Sequence, residues 1–326
     1  MGSREPTAAL RAEDHGRGRS AQSPLEIPAR GWKDILIRTK QAFGQDNMPM
    51  ISAGVTFYAL LALFPGLAAL IAVYGLFSDP AEVQRQVQAV AGILPGGAVE
   101  VLRAQMDSLA RAPGTGLSAG FVVGLLASLW SANGALKALM VGLNVAYEEH
   151  EQRGLIRRTL ISLGFTVGLL AFVIAALVAL GFSAWIGRHV GGLPAAMAAG
   201  GVWLVLIVLL AAGLALVYRY GPSRDPVRFQ WISWGSGVSV LAWLAMSAAF
   251  SAYVANFGHY NRVYGSLGAV VGFMTWIYLS SMVVLAGAEL NAEIEHQTEV
   301  DTTDGPPQPR GSRDAKMADT IGRATG

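Results

Sequence analysis

Residues 256–293 read NFGHYNRVYGSLGAVVGFMTWIYLSSMVVLAGAELNAE. The stretch starts polar and aromatic, runs mostly apolar from Val263, and ends on Glu289 and Glu293 while the helical pattern still holds. About twenty residues rising ~1.5 Å each cross a hydrocarbon core of ~30 Å, so this is a transmembrane helix with polar chemistry at both ends.

Five more stretches of the same kind lie upstream. The spans predicted from hydropathy are 50–77, 117–146, 155–187, 195–218, 230–254 and 263–290. Pro65 falls inside the first, where it removes a backbone donor and should kink the helix. The chain as a whole agrees with a membrane solvent: 53% of its 326 residues are hydrophobic and 14% charged. Mean hydropathy is +0.43, and soluble domains carry about 25% charged residues. Cysteine is absent, which excludes disulfides and thiolate metal sites.

Orientation follows from the basic residues. Loops with Arg153, Arg157 and Arg158, and then Arg219, Arg224 and Arg228, alternate with loops holding Arg188 or Arg262 alone. The positive-inside rule therefore puts both termini in the cytoplasm. The fold class expected is all-α, a polytopic six-helix membrane domain at 30–297. Its flanks, 1–29 and 298–326, are rich in Arg, Ser, Pro, Gly, Asp and Thr and are read as disordered tails. The first thirty residues have no apolar core that would make a signal peptide. A short helix at 32–44 puts Trp32, Ile35, Leu36, Thr39 and Phe43 on one face, to lie in the membrane interface or dock on the protein. Between spans one and two, 78–115 reads as an amphipathic helical hairpin. Asp79-Pro80 starts it and Pro95-Gly96-Gly97 breaks it.

Candidate site residues gather at the span ends. Asn133, Lys137 and Asn144 share a face of the second span, and Lys137 lies at nearly the depth of Glu289 on the last. Glu289 and Glu293, four residues apart near a helix C-terminus, repel each other and the helix dipole, so they need cations. Lys137, Arg157, Arg158 and Arg219 are the candidates, with Lys137 the expected partner of Glu289. The cluster reads either as a structural ion-pair set or as a charged inner mouth that binds an ionic substrate or couples protons. On the outer side Asn256, His259, Tyr260, Asn261 and Tyr264 crowd one turn, either a hydrogen-bonded connection or a headgroup contact. Gly116, Gly120 and Gly124, with Gly268 and Gly272, place small residues every four positions for close helix packing, within the chain or in a homo-oligomer. Gly164/Gly168 repeats the spacing. The five histidines are scattered, and no phosphate loop, nucleophile elbow or zinc-binding helix motif is present. No cofactor, metal or nucleic-acid partner is expected.

Several short motifs together resemble the YihY/BrkB family of bacterial inner-membrane proteins: Phe57-Tyr58-Ala59-Leu60-Leu61-Ala62-Leu63-Phe64-Pro65, Leu129-Trp130-Ser131, Tyr218-Arg219-Tyr220-Gly221-Pro222, Tyr264-Gly265-Ser266-Leu267-Gly268 and Gly287-Ala288-Glu289-Leu290-Asn291-Ala292. The likeness covers roughly 31–295. It implies a six-helix bundle with both termini inside, in a family whose members have been called virulence factors, transporters and a ribonuclease BN. Phosphodiester hydrolysis needs a metal or acid–base cluster and a basic surface, and neither is visible in the sequence. The expected function is therefore not enzymatic. It is transport or flipping of a lipid or small ionic molecule across the inner membrane, and the alternative is a non-transporting scaffold for the envelope.

Overall fold

The computed structural model describes residues 16–75, 119–190, 192–256 and 267–325. The expected hairpin at 78–115 lies outside them, as do Gly116, His259, Tyr260, Asn261 and Tyr264. The described residues are helical with no β-strand. Their one β-type pairing is an isolated bridge between Val227 and Thr303.

A short amphipathic helix, α1 (Ala29–Gln45), precedes six long ones: α2 (Met48–Gly75), α3 (Ala119–Ala146), α4 (Leu155–His189), α5 (Gly192–Tyr220), α6 (Phe229–Asn256) and α7 (Leu267–Glu295). A single turn, α8 (Lys316–Asp319), closes the chain. The long helices match the predicted spans to within a few residues because leucine, alanine, valine and isoleucine dominate all six. In lipid the helix satisfies every backbone donor internally, and α2 continues through Pro65. Among the described residues, segments of α4, α5, α6 and α7 are long and apolar enough to cross a bilayer.

Each long helix packs on its sequence neighbour, and α7 returns to α2, which closes a ring. The last helix is the hub: it touches α1, α2, α3, α6 and α8. Gly287 permits its approach to α5 and α6, since a Cβ there would fall on Ser239 Oγ and the Tyr218 hydroxyl. Gly142 does the same against α7 and α2, where a Cβ would meet Leu285 Cδ2 at 2.8 Å and Ile51 Cγ2 at 2.9 Å. Three glycines of the four-residue spacing make no close helix contact among the described residues. A Cβ at Gly164, Gly168 or Gly272 would meet open space.

Burial is concentrated at one end of the bundle. The buried residues of α2 (Met48, Ser52, Val55, Thr56) open that helix, and those of α7 (Ser281, Leu285, then Gly287 to Glu295) close it. Trp231 and Ile232 on α6, and Met140, Leu143 and Ala146 on α3, meet at the same end. The segments flanking the bundle collect here, so we call it the tail end.

The expectation of two disordered tails fails for the described residues. Ala21 and Ile27 are buried, Thr298 Oγ1 donates to the Ala21 carbonyl at 2.7 Å, and Glu299 N donates to the Arg19 carbonyl at 2.8 Å. Further on, Thr302, Thr303, Arg313, Ala315, Met317 and Ala318 are buried. Low apolar content argued for disorder, but the ordering comes from hydrogen bonds: these polar segments cap charged helix ends that would otherwise be buried without partners. The same reason decides between the two readings of α1, interfacial or docked on the protein. Its buried face includes Asp34 and Arg38 beside Ile35, while Leu36 is exposed, so the helix docks on the protein through charges. Arg17 lies 2.5 Å from Asp34 Oδ2. Burial pushes the Asp34 carboxyl up, but the hydrogen bonds from Arg17 and Thr325 outweigh it and hold the group below the ordinary aspartate range.

Candidate functional site

The tail end of α7 carries four polar residues in seven positions: Glu289, Asn291, Glu293 and Glu295, all buried. A helix turns about 100° per residue, so Glu289 and Glu293 share one side of α7 and Asn291 and Glu295 another, one turn apart in each case, and each meets a different neighbour.

Glu295 and Arg224 form an ion pair at 2.8 Å with both side chains at 0% exposure. Thr302 Oγ1 donates to Glu295 Oε2 at 3.0 Å, and the guanidinium lies 4.4 Å over the Tyr147 ring. Glu293 accepts from Arg38 Nε at 2.6 Å, with His296 Nδ1 3.4 Å away. Arg38 is itself held by Gln297 Oε1 at 2.7 Å and the Arg323 carbonyl at 3.0 Å. Asn291 Oδ1 accepts from the Gly235 amide at 2.9 Å, which ties α7 to α6. These three groups are structural clamps.

Glu289 is different. Its side chain is fully buried, and neither oxygen has a donor among the described residues. The neighbouring group that bears on it is another carboxyl, Asp46, at the end of α1. Two carboxylates repel and cannot hydrogen-bond to each other, and a proton shared between them would relieve that repulsion. Burial, together with the Glu148 and Glu293 charges, pushes the Asp46 carboxyl above its ordinary value despite the bond to Glu289.

The expected Lys137–Glu289 pair does not form. Lys137 Nζ instead sits 4.9 Å from the centroid of the Trp130 ring, seven residues back on its own helix, and it makes no ion pair among the described residues. The other proposed cations are also engaged elsewhere or exposed. Arg158 Nε is 3.8 Å from Glu151, and Arg219 donates to Asp304 Oδ2 at 2.6 Å and the Val227 carbonyl at 2.7 Å. Arg157 is exposed on the first turn of α4. Asn144 is a latch: its Oδ1 accepts from Ser223 N at 2.7 Å and its Nδ2 donates to Glu151 at 3.2 Å. Asn133 is buried with Oδ1 3.2 Å from the Thr166 hydroxyl and Nδ2 lacking an acceptor among the described residues. Asn256 ends α6, and the other outer-turn residues lie outside the described part, as do the surroundings of Gly120, Gly124 and Gly268.

Sequence reasoning missed Asp46, Arg224 and Glu295. Asp46 follows an amphipathic helix and looks like an ordinary exposed cap. The alternation of acids after Glu289 was a usable signal, because a helix end carrying that many acids must bury some of them against cations from distant loops.

An all-helical membrane protein whose charges gather at one end of the bundle is the class that fold and site define. Residues 39–312 match the family described as virulence factor BrkB, and the chain belongs to that family. It is similar to the ribonuclease-like protein YfkH of Bacillus subtilis, at 28% identity over 252 residues, covering 74% of this chain and 88% of the relative. It is also similar to UPF0761 membrane proteins of Verminephrobacter eiseniae, at 29% identity over 80% of this chain, and of Ralstonia nicotianae, at 25% over 81%. The matched region spans 62% and 60% of those two longer relatives. No solved structure matches the chain.

Proposed function

We propose that this protein is a multi-pass transporter or flippase of the bacterial inner membrane, with six spans and both termini cytoplasmic, acting on an amphipathic or ionic substrate. The observation that carries the reading is Glu289: a buried acid on the hub helix, facing Asp46 rather than a cation. A purely structural acid is expected to have a cation or a set of N–H donors, as Glu293 and Glu295 do. An acid held against a second acid gains or loses a proton with small changes around it, which suits ion coupling.

The ring geometry supports the same reading. The tail end, where the helices pack closely, is then the closed inner end of the path. On this reading Asn133, whose buried Nδ2 has no acceptor among the described residues, sits where α3 meets α4 beside the path, and the protein is not an enzyme.

The test is reconstitution into liposomes holding a pH-sensitive dye, with an imposed proton gradient and a panel of lipids and small ions. Substrate-dependent proton movement that Glu289→Gln abolishes is the expected result. Folded protein giving no movement of proton or any panel compound above empty vesicles would remove the transport reading. It would leave the envelope scaffold, which the Arg38–Glu293 and Arg224–Glu295 clamps also suit.

A further inference from the structure

A cavity of about 430 Å³ opens beside the start of α4, away from the Glu289 cluster. Its walls are the first turn of α4, the loop between α5 and α6, and the C-terminal segment at Asp314. Four arginines line it, yet three have partners: Arg153 with Glu151 at 2.7 Å, Arg219 with Asp304 at 2.6 Å, and Arg224 with Glu295 at 2.8 Å. The lining charges without a side-chain partner among the described residues are one cation, Arg157, and two acids, Asp225 and Asp314. Donor capacity remains around Arg157. Arg219 Nε, and Arg224 Nε and Nη1, are buried without acceptors, and no side chain caps the start of α4 at Gly154.

The two signs are not mixed at random. Arg157 belongs to the helix that spans the bilayer, next to Leu155, Ile156 and Leu160, whose side chains are 82%, 78% and 64% exposed. Asp225 and Asp314 come from the opposite walls, joined by a backbone bond from Asp225 N to the Asp314 carbonyl at 3.1 Å. A ligand that matches must carry a negative group close to an apolar chain and a positive group beyond it. Phosphatidylglycerol and other lipids without an ammonium lack the second feature, and free phosphate lacks the first.

We propose that this cavity seats the headgroup of an aminophospholipid, with the phosphodiester on Arg157 and the start of α4 and the ammonium on Asp225 and Asp314. Its acyl chains run along Leu155, Ile156 and Leu160. The site is separate from the transport reading and does not depend on it.

The experiment is native mass spectrometry of the delipidated full chain, titrated with phosphatidylethanolamine, phosphatidylcholine and phosphatidylglycerol of identical acyl chains. A primary ammonium donating to two carboxylates is expected to give ethanolamine lipid about tenfold tighter retention than the other two, since a charge-assisted hydrogen bond contributes about that much. Asp225→Asn with Asp314→Asn should erase that preference, weakening the ethanolamine lipid more than the choline lipid, which loses only the charge attraction. Asparagine tolerates the left-handed backbone at Asp314, where φ is 47°, so the fold is kept. Arg157→Gln should weaken all three lipids, and Arg157→Lys should recover part of the loss. Size-exclusion profiles and melting points matching wild type confirm that the variants are folded. Glycerol lipid held as tightly as ethanolamine lipid, or an ethanolamine preference surviving in the double variant, overturns the proposal. Displacement of every lipid by millimolar inorganic phosphate also overturns it, since the site would then be for free phosphate.

Discussion

Replacing Glu289 with glutamine tests the shared-proton reading directly, because the amide keeps the shape of the side chain and removes the need for a proton. In the wild type, deprotonating both acids would set two charges against each other inside the protein. Like charges ~4 Å apart repel by about 4 kcal/mol at an effective dielectric of 20. A glutamine Nε2 donates to Asp46 instead, and a hydrogen bond to a charged group contributes about 1.5–3 kcal/mol. Because Asp46 titrates above its unfolded value, its contribution to stability is fully present below the unfolded pKa of 3.8. That contribution is lost as pH rises through the raised value, so wild-type stability should fall as pH rises above 3.8. The variant should show little of this decline and exceed wild type by about 1 kcal/mol above the raised value, with the gap closing in acid, because Asp46 is only partly buried and solvent screens the pair. Thermal unfolding in detergent, followed by size exclusion or tryptophan fluorescence across that pH range, reads the difference. Asp46→Asn should behave in the same way. A glutamine variant that loses ~2 kcal/mol or more at every pH would mean that Glu289 is ionised against a cation, and the reasoning would fail.

Other outcomes follow from the same geometry. Arg224→Ala or Glu295→Ala leaves one charge buried alone and should cost about 3–5 kcal/mol, visible as lost yield and a lower melting point, whereas replacing both with leucine should recover much of it. The hydrogen bonds from Arg153, ahead of the opposing burial, lower the Glu151 carboxyl to about 2. Its contribution is therefore present above its unfolded value of 4.5 and lost as pH falls toward 2, opposite in sign to the Asp46 effect. Glu151→Gln should flatten that acid limb and cost about 1–3 kcal/mol at neutral pH, measured by acid unfolding. Gly287→Ala should cost about 1–3 kcal/mol through overpacking against Tyr218 and Ser239, while Gly272→Ala should be neutral or stabilising by up to about 1 kcal/mol. Lys137→Met should change stability by no more than about 1 kcal/mol, because only the Trp130 contact is lost.

The limits of the sequence reading are clearest at Glu289 and Lys137. Hydropathy gives depth along a helix, and at ~1.5 Å per residue it placed both groups near the tail end. Depth is only one of two coordinates, however, and the rotation of each helix about its axis is set by packing. Lys137 turns back along α3 to Trp130, while Glu289 points to the corner between α1 and α2. The ordered tail was hidden for a related reason. Arg224 and Arg38 take acceptors from residues far away in the chain, and polar composition alone cannot reveal such long-range capping.

One local feature does connect the sequence to the buried acid. The chain passes from α1 to α2 through Asp46 and Asn47, and Asn47 adopts a left-handed backbone with φ 52°. Asparagine is among the few non-glycine residues that accept this conformation easily. The turn is closed by Asp46 N donating to the Ala42 carbonyl at 2.8 Å and Met50 N to the Asn47 carbonyl at 2.8 Å. It is this tight reversal that brings Asp46 under the end of α7. Asn47→Val should cost about 1–2 kcal/mol by forcing a β-branched residue into the left-handed region. If the turn also positions the proton-sharing pair, the same variant should reduce the pH dependence of stability that Glu289→Gln removes, whereas Asn47→Gly should preserve it. A valine variant that is less stable yet keeps the full wild-type pH dependence would separate the turn from the carboxyl pair.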